Sequence, residues 1–136
     1  RQAPGLGIAM MAMVVMTCGM AIPDDKGAAK GKQHQRQLRH VVMFKFKEGT
    51  SASQVKTIED AFRGLPAKID TIVDFEWGTD VSVEDLADGF THCFLVTFHT
   101  QAALNAYLPH EAHQGFVAVL KPHLDKVLVV DYWARK

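Results

Sequence analysis

Two histidines of this sequence fall on strand faces that are otherwise apolar and rich in phenylalanine. Alternation of polar and apolar side chains places His40 on one face with Phe44 in one predicted strand, and His92 on one face with Phe94 in another. An imidazole titrates near neutral pH, so a histidine that lines an apolar cavity can accept or donate a proton there. The pattern therefore predicts an apolar cavity with a few inward polar groups, which is the usual composition of a small-molecule site.

A third histidine and a tyrosine lie in a region of helical spacing. His113 shares a predicted helix face with Phe116, and Tyr107 lies in the preceding predicted helix, before the break at Pro109. An aldol-type reaction needs a base that removes a proton beside a carbonyl and a donor that holds the developing oxyanion, and an imidazole and a phenol meet these needs. Residue types alone leave a structural alternative, in which His113 is a hydrogen-bonded core residue and Tyr107 packs its ring with its hydroxyl in solvent.

The histidines and acidic residues do not show the spacing of a metal site. His110 and His113 are three residues apart with a glutamate after the first, which is one residue short of the helix motif of zinc proteases. We therefore predict no metal and no cofactor, and we expect His110 to face solvent or to lie in a turn. Four acidic residues lack the spacing of a calcium loop and are interpreted as part of a solvated loop: Asp80, Glu84, Asp85 and Asp88.

Length and charge narrow the possible functions. The chain has 136 residues, with 15 basic and 15 acidic side chains, so it has the length of one domain and no strong overall field. It lacks a phosphate-binding glycine loop, a nucleophile elbow and a strip of basic and aromatic residues. Nucleotide hydrolysis, acyl transfer by serine and nucleic-acid binding are therefore not expected.

The N-terminal part has the pattern of an export signal. An apolar run from Ile8 to Met16 follows Arg1 and precedes small residues, and it is shorter than a membrane span of about 20 residues. We predict a signal peptide over residues 1–21, a flexible linker over 22–38 and a folded domain over 39–136. The mature protein is then periplasmic or secreted, without a stable membrane span. The alternative is that the leader stays uncleaved and anchors the chain in a membrane.

The folded part reads as alternating strands and helices. Ser51 and Gln54 have the spacing of a capping box, and Pro109 marks a break between two helices. The predicted elements are a strand over 40–47, a helix from 51 to 65, a strand over 71–77, a surface loop over 79–89, a strand over 90–99, a helix after residue 100, a second helix from 110 to 121 and a strand over 127–133.

This order predicts an α+β fold with a ferredoxin-like four-stranded antiparallel sheet and helices on one face. The opposite face is expected to carry apolar side chains, namely Met43, Leu95, Val127 and Val129. A second copy of the chain could cover them, so we predict a homodimer in which two sheets form a dimeric α+β barrel.

Three blocks of the sequence resemble the stress-responsive A/B barrel domain family. They are residues 39–47 (RHVVMFKFK), 107–117 (YLPHEAHQGFV) and 127–132 (VLVVDY). The resemblance implies a homodimeric α+β barrel, and most members of this family have no established activity. The family includes a polyketide cyclase that works without a cofactor. Its catalytic tyrosine and histidine correspond to Tyr107 and His113, and its two further pocket histidines correspond to His40 and His92.

The sequence therefore predicts an exported dimeric protein that binds a small apolar or carbonyl-containing ligand. The alternative is a cofactor-free lyase of the polyketide-cyclase type, with His113 as base and Tyr107 as oxyanion donor. In either case the residues expected to bind the ligand are His40, His92, Phe44 and Phe94.

Overall fold

The computed structural model describes residues 36–135. The predicted leader and most of the predicted linker lie outside these residues, so export and cleavage stay predictions. The first strand begins at Leu38, which is buried, one residue before the predicted start of the domain. Within the described residues no helix combines the length and the apolar character needed to cross a membrane.

The chain forms a four-stranded antiparallel sheet with three α-helices packed on one of its faces. The strands lie in the order β2-β3-β1-β4, and every neighbouring pair is antiparallel. This is the predicted ferredoxin-like arrangement. The elements are β1 (Leu38–Phe46), α1 (Ala52–Arg63), β2 (Asp74–Thr79), β3 (His92–Phe98), α2 (Gln101–Tyr107), α3 (Glu111–Leu120), a 3-10 turn (Lys121–His123) and β4 (Leu124–Trp133).

Helix α1 begins at the predicted capping box. The Ser51 hydroxyl accepts from the backbone N–H of Gln54, and the Gln54 side chain accepts from the backbone N–H of Ser51. These two bonds satisfy donors that a helix start otherwise leaves unpaired. Helical spacing then turns Ile58 and Phe62 into the core, where both are buried.

Two strands start later than alternation predicts, because turns use the preceding backbone groups. The N–H of Ile72 bonds the carbonyl of Ile69, so the chain is still turning there, and β2 begins only at Asp74. It then continues through Gly78. The N–H of Phe90 likewise bonds the carbonyl of Ala87 at the end of the surface loop.

The register of β4 corrects the predicted composition of the uncovered sheet face. Val127 and Val129 pair with Phe44 and Val42, so they lie on the side of the sheet that carries the helices. The prediction for these two valines was wrong, because alternation fixes which residues of a strand share a face but not which face that is. The uncovered face instead carries two apolar rows across three strands: Leu95, Val41 and Val130, and Cys93, Met43 and Leu128.

Strand β4 is exposed on both faces. Val129 on the helix side and Val130 on the uncovered side are 49% and 48% exposed. The helices therefore do not extend over this edge strand, although they bury its neighbour β1.

Two leucines test where the core lies. Leu104 in α2 is 2% exposed, and Leu86 in the surface loop is 78% exposed. We expect Leu104→Ala to lower the free energy of unfolding by about 2–5 kcal/mol, through lost burial and a residual cavity. The matched change Leu86→Ala should alter it by less than about 0.5 kcal/mol. Urea unfolding followed by circular dichroism measures both, and equal effects would contradict the described core.

Candidate functional site

Three of the predicted site residues meet at one end of the sheet. The ring centroids of Tyr107 and His113 are 4.4 Å apart, and those of Tyr107 and His40 are 5.7 Å apart in an edge-on arrangement. His40 comes from β1, Tyr107 is the last residue of α2, and His113 lies in the first turn of α3. The structure therefore brings together residues from three separate elements.

The break between α2 and α3 sets the position of His113. Helix α2 ends at Tyr107, and the side chain of His110 caps α3 by accepting from the N–H of Ala112. The carbonyl of Leu108 follows the end of α2. It accepts one bond from His113 Nδ1, at 2.8 Å, and one from the side-chain amide of Gln114, at 2.7 Å. Carbonyls at a helix end need such partners, and here the partner is a ring of the site.

This bond determines the tautomer of His113. A carbonyl oxygen can only accept, so Nδ1 carries the hydrogen and the lone pair of the neutral ring is on Nε2. Among residues 36–135, Nε2 has no hydrogen-bond partner. Burial lowers the pKa of His113, the Leu108 carbonyl opposes this shift, and the charges of His40 and His110 add to it. The ring is therefore mostly neutral at neutral pH and has a free basic nitrogen.

Tyr107 is suited to donate rather than to ionise. Its side chain is 1% exposed, and this burial raises the pKa of the phenol well above its usual value, so the hydroxyl keeps its proton. The hydroxyl has no hydrogen-bond partner among the described residues. A bound oxyanion could accept its hydrogen.

His40 is held by an aspartate that the sequence reasoning did not assign to the site. His40 is buried, and its Nδ1 lies 2.6 Å from Oδ1 of Asp131, which is the residue beside it on β4. A carboxylate accepts from Nδ1–H and so fixes the orientation of the ring. One signal was available, because Asp131 is an acidic residue that directly follows the apolar run from Val127 to Val130.

His92 does not join this group. It pairs with Phe44 on β1, four residues along the strand from His40, a separation of about 13 Å. Its Nε2 lies 2.9 Å from Glu59 of α1, and its Nδ1 lies 2.8 Å from the Thr91 hydroxyl. Both ring nitrogens therefore have protein partners. The sequence reasoning also missed Glu59, which adjoins Ile58 on the buried side of α1.

Phe44 and Phe94 lie inside the aromatic core. They are 1% and 0% exposed, and their centroids are 5.2 Å apart. Phe62 stacks on Phe94 at 4.2 Å and approaches Phe116 at 4.6 Å. The two predicted ligand-binding phenylalanines thus belong to a cluster of four buried rings, which we call the phenylalanine cluster: Phe44, Phe62, Phe94 and Phe116. Their role in binding stays a prediction.

No metal-binding constellation accompanies the three rings. Within residues 36–135, no group of three or more histidine, cysteine, aspartate or glutamate side chains is arranged to hold a metal ion. The chemistry that the geometry can support on its own is proton transfer, with one free imidazole nitrogen and one phenolic donor side by side.

Comparison with known proteins identifies a family and several relatives. The family described as the Stress responsive A/B Barrel Domain matches residues 38–134. A stress-response A/B barrel domain-containing protein of Arabidopsis thaliana, HS1, is 38% identical over 70% of this chain and 87% of its own length. The olivetolic acid cyclase of Cannabis sativa is 31% identical over 73% of this chain and 98% of its own length.

Solved structures show the same fold. The hydroxynitrile lyase of Passiflora edulis is 29% identical, superposes with a TM-score of 0.70, and is matched over 75% of this chain and 96% of its own. A protein of unknown function from Jannaschia, described as dimeric and ferredoxin-like, is 27% identical with a TM-score of 0.63, over 71% of this chain and 97% of its own.

The environment of His113 predicts its titration. Because the pKa is lowered, the ring should lose its proton at a pH below 6.5, whereas an unperturbed histidine titrates near 6.5. An NMR titration of the imidazole signals measures this, and the spectrum of His113→Gln assigns the resonance. A midpoint above 6.5 would contradict the described burial of the ring.

Proposed function

The chain belongs to the stress-responsive A/B barrel domain family, and on that premise we propose that it is an enzyme that removes a proton beside the carbonyl group of a small compound. It would do so with its own side chains, as a lyase or cyclase of the aldol type. One observation carries the proposal: the free Nε2 of His113 belongs to a ring centred 4.4 Å from that of the protonated Tyr107. Base and oxyanion donor are thus adjacent.

The proposed step moves one proton and one electron pair. His113 Nε2 takes the proton from the carbon beside the carbonyl. The electron pair of that C–H bond forms a double bond to the carbonyl carbon, and the carbonyl π pair moves to the oxygen, which gives an enolate. The Tyr107 hydroxyl donates a hydrogen bond to that oxygen. The enolate carbon then attacks a second carbonyl carbon, whose oxygen takes the proton from the His113 imidazolium, or it takes that proton back itself. His40, held by Asp131 and next to the tyrosine ring, would orient the substrate.

The names of two relatives are consistent with this reaction class. One is a cyclase and the other is a lyase, and both match nearly the whole of their own length. Their activities belong to those proteins. For this chain the names of the relatives support a carbonyl compound as the substrate class. The three rings alone indicate proton transfer but do not indicate which compound loses the proton.

A second candidate is ligand binding without chemistry. The observation that favours it is the packing of the site: Tyr107 is almost fully buried and contacts both histidine rings. In this case the site would hold a small apolar or carbonyl-containing compound, and Tyr107 and His113 would only provide hydrogen bonds.

The uncovered sheet face supports a homodimer. Its two apolar rows cross the three strands β3, β1 and β4, and contiguous apolar surface of this kind marks an interaction site. The relative from Jannaschia, which has the same fold, is described as dimeric. We propose that two copies of this chain cover these rows with each other, sheet against sheet.

Exchange of carbon-bound hydrogen for deuterium tests the proposed step. With 2-butanone in D2O, the protein should accelerate loss of the α-proton signals in the NMR spectrum. His113→Gln should lower the protein-dependent rate roughly 10²–10⁴-fold, because the base is lost. Tyr107→Phe should lower it roughly 10²–10³-fold, because the oxyanion donor is lost.

The control variant is His99→Gln, which removes an exposed imidazole at the end of β3. Its exchange rate should equal that of the wild type. Saturable binding of 2-butanone without exchange would favour the second candidate, and absence of both binding and exchange would contradict both candidates for this ligand class.

A charge on the uncovered face tests the dimer. Val130→Lys places an ammonium group at the β4 end of one apolar row, where a partner chain would have to bury it. We expect sedimentation velocity to report two chains for the wild type and one chain for the variant. Val83→Lys is the matched control, because Val83 is 96% exposed in the surface loop. A wild type that sediments as a monomer at micromolar concentration would refute the proposed dimer.

A further inference from the structure

The apolar side of the site is filled by side chains of the protein itself. The phenylalanine cluster begins at Phe116, whose ring centroid is 6.4 Å from that of His113, and continues to Phe62 at 4.6 Å. Each of its four members is at most 5% exposed. Protein interiors of this kind are close-packed, so a ligand group cannot enter without displacing a ring.

Phe116 also forms part of the wall of an outer groove. This groove, of about 490 Å³, runs between α1 and α3 and is lined by Ala61, Leu65, Ala112 and Phe116, with polar side chains at its rim. His40, Tyr107 and His113 do not line it. Phe116 is therefore a residue that approaches the His113 ring on one side and contributes to the groove on the other.

We infer that the substrate is a short-chain carbonyl compound, and that Phe116 excludes longer chains by closing the path from His113 to the groove between α1 and α3. This inference rests on the proposed function and adds the size of the substrate. A long alkyl tail would need the space that the cluster occupies, whereas a carbonyl group with small substituents would not have to enter the cluster.

Position on α3 explains why Phe116 has this role rather than another member of the cluster. It follows His113 by three residues, so both rings lie on the same face of the helix. Phe44 and Phe94 lie further inside and contact Phe116 or each other rather than the histidine. Shortening Phe116 is thus the change that joins the site to the groove.

The experiment compares two methyl ketones that share the reacting group, 2-butanone and 2-nonanone. Deuterium exchange gives kcat/KM for each. We expect the wild type to prefer 2-butanone by at least about tenfold. Phe116→Ala should reduce that preference by at least about tenfold, because the longer chain can then extend into the groove.

Two further variants make the result decisive. Phe116→Leu is a smaller change that preserves an apolar core residue, and it should shift the preference in the same direction if Phe116→Ala does not fold. Phe75→Leu is the matched control: Phe75 stacks on Phe62 at 5.4 Å but lies on β2, away from His113. Its preference should equal that of the wild type.

The outcomes separate this inference from the proposed function. Equal exchange of both ketones by the wild type would overturn the size limit and leave the proton-transfer function standing. An unchanged preference in both folded Phe116 variants would also overturn it. Absence of exchange with either ketone would remove the proposed function and the inference together.

Discussion

The pairing of β1 on both of its edges is the constraint on which the rest of the structure depends. This strand hydrogen-bonds to β3 on one side and to β4 on the other, so its alternation assigns a face to residues of all three strands. One face receives the helices and the site, because His40 points there together with Phe44. The other face receives the apolar rows. A shift of one residue in either register would exchange the two faces of the strand that shifts.

The sequence predicted the local features well, because their causes are local. Alternation placed His40 on the same face of β1 as Phe44, and the spacing of Ser51 and Gln54 located the start of α1. The break at Pro109 separated the helices that carry Tyr107 and His113. These inferences need only neighbouring residues and the geometry of one element, so tertiary packing did not overturn them.

The other features of the fold and the site could not be predicted, because they depend on contacts between residues that are remote in the chain. Alternation gives His92 and His40 the same face but contains no information on their separation along the sheet, which the β1–β3 register sets. The same limit hid the contact of His40 with Asp131, 91 residues away. It also produced the wrong face for Val127 and Val129. The tautomer of His113 needed the position of one carbonyl after a helix end, which no periodicity specifies.

The exposure of β4 on both faces affects how the chain reaches its final state. A lone copy has a ten-residue strand with one unpaired edge, and its central run from Val127 to Val130 contains no charge. Such an edge is a template for adding further strands, and proteins usually protect it with charges, proline or a covering element. Here the charged residues lie outside the central run, and Asp131 is engaged by His40. When the protein is refolded, the proposed ordered association would therefore compete with irregular strand addition at this run.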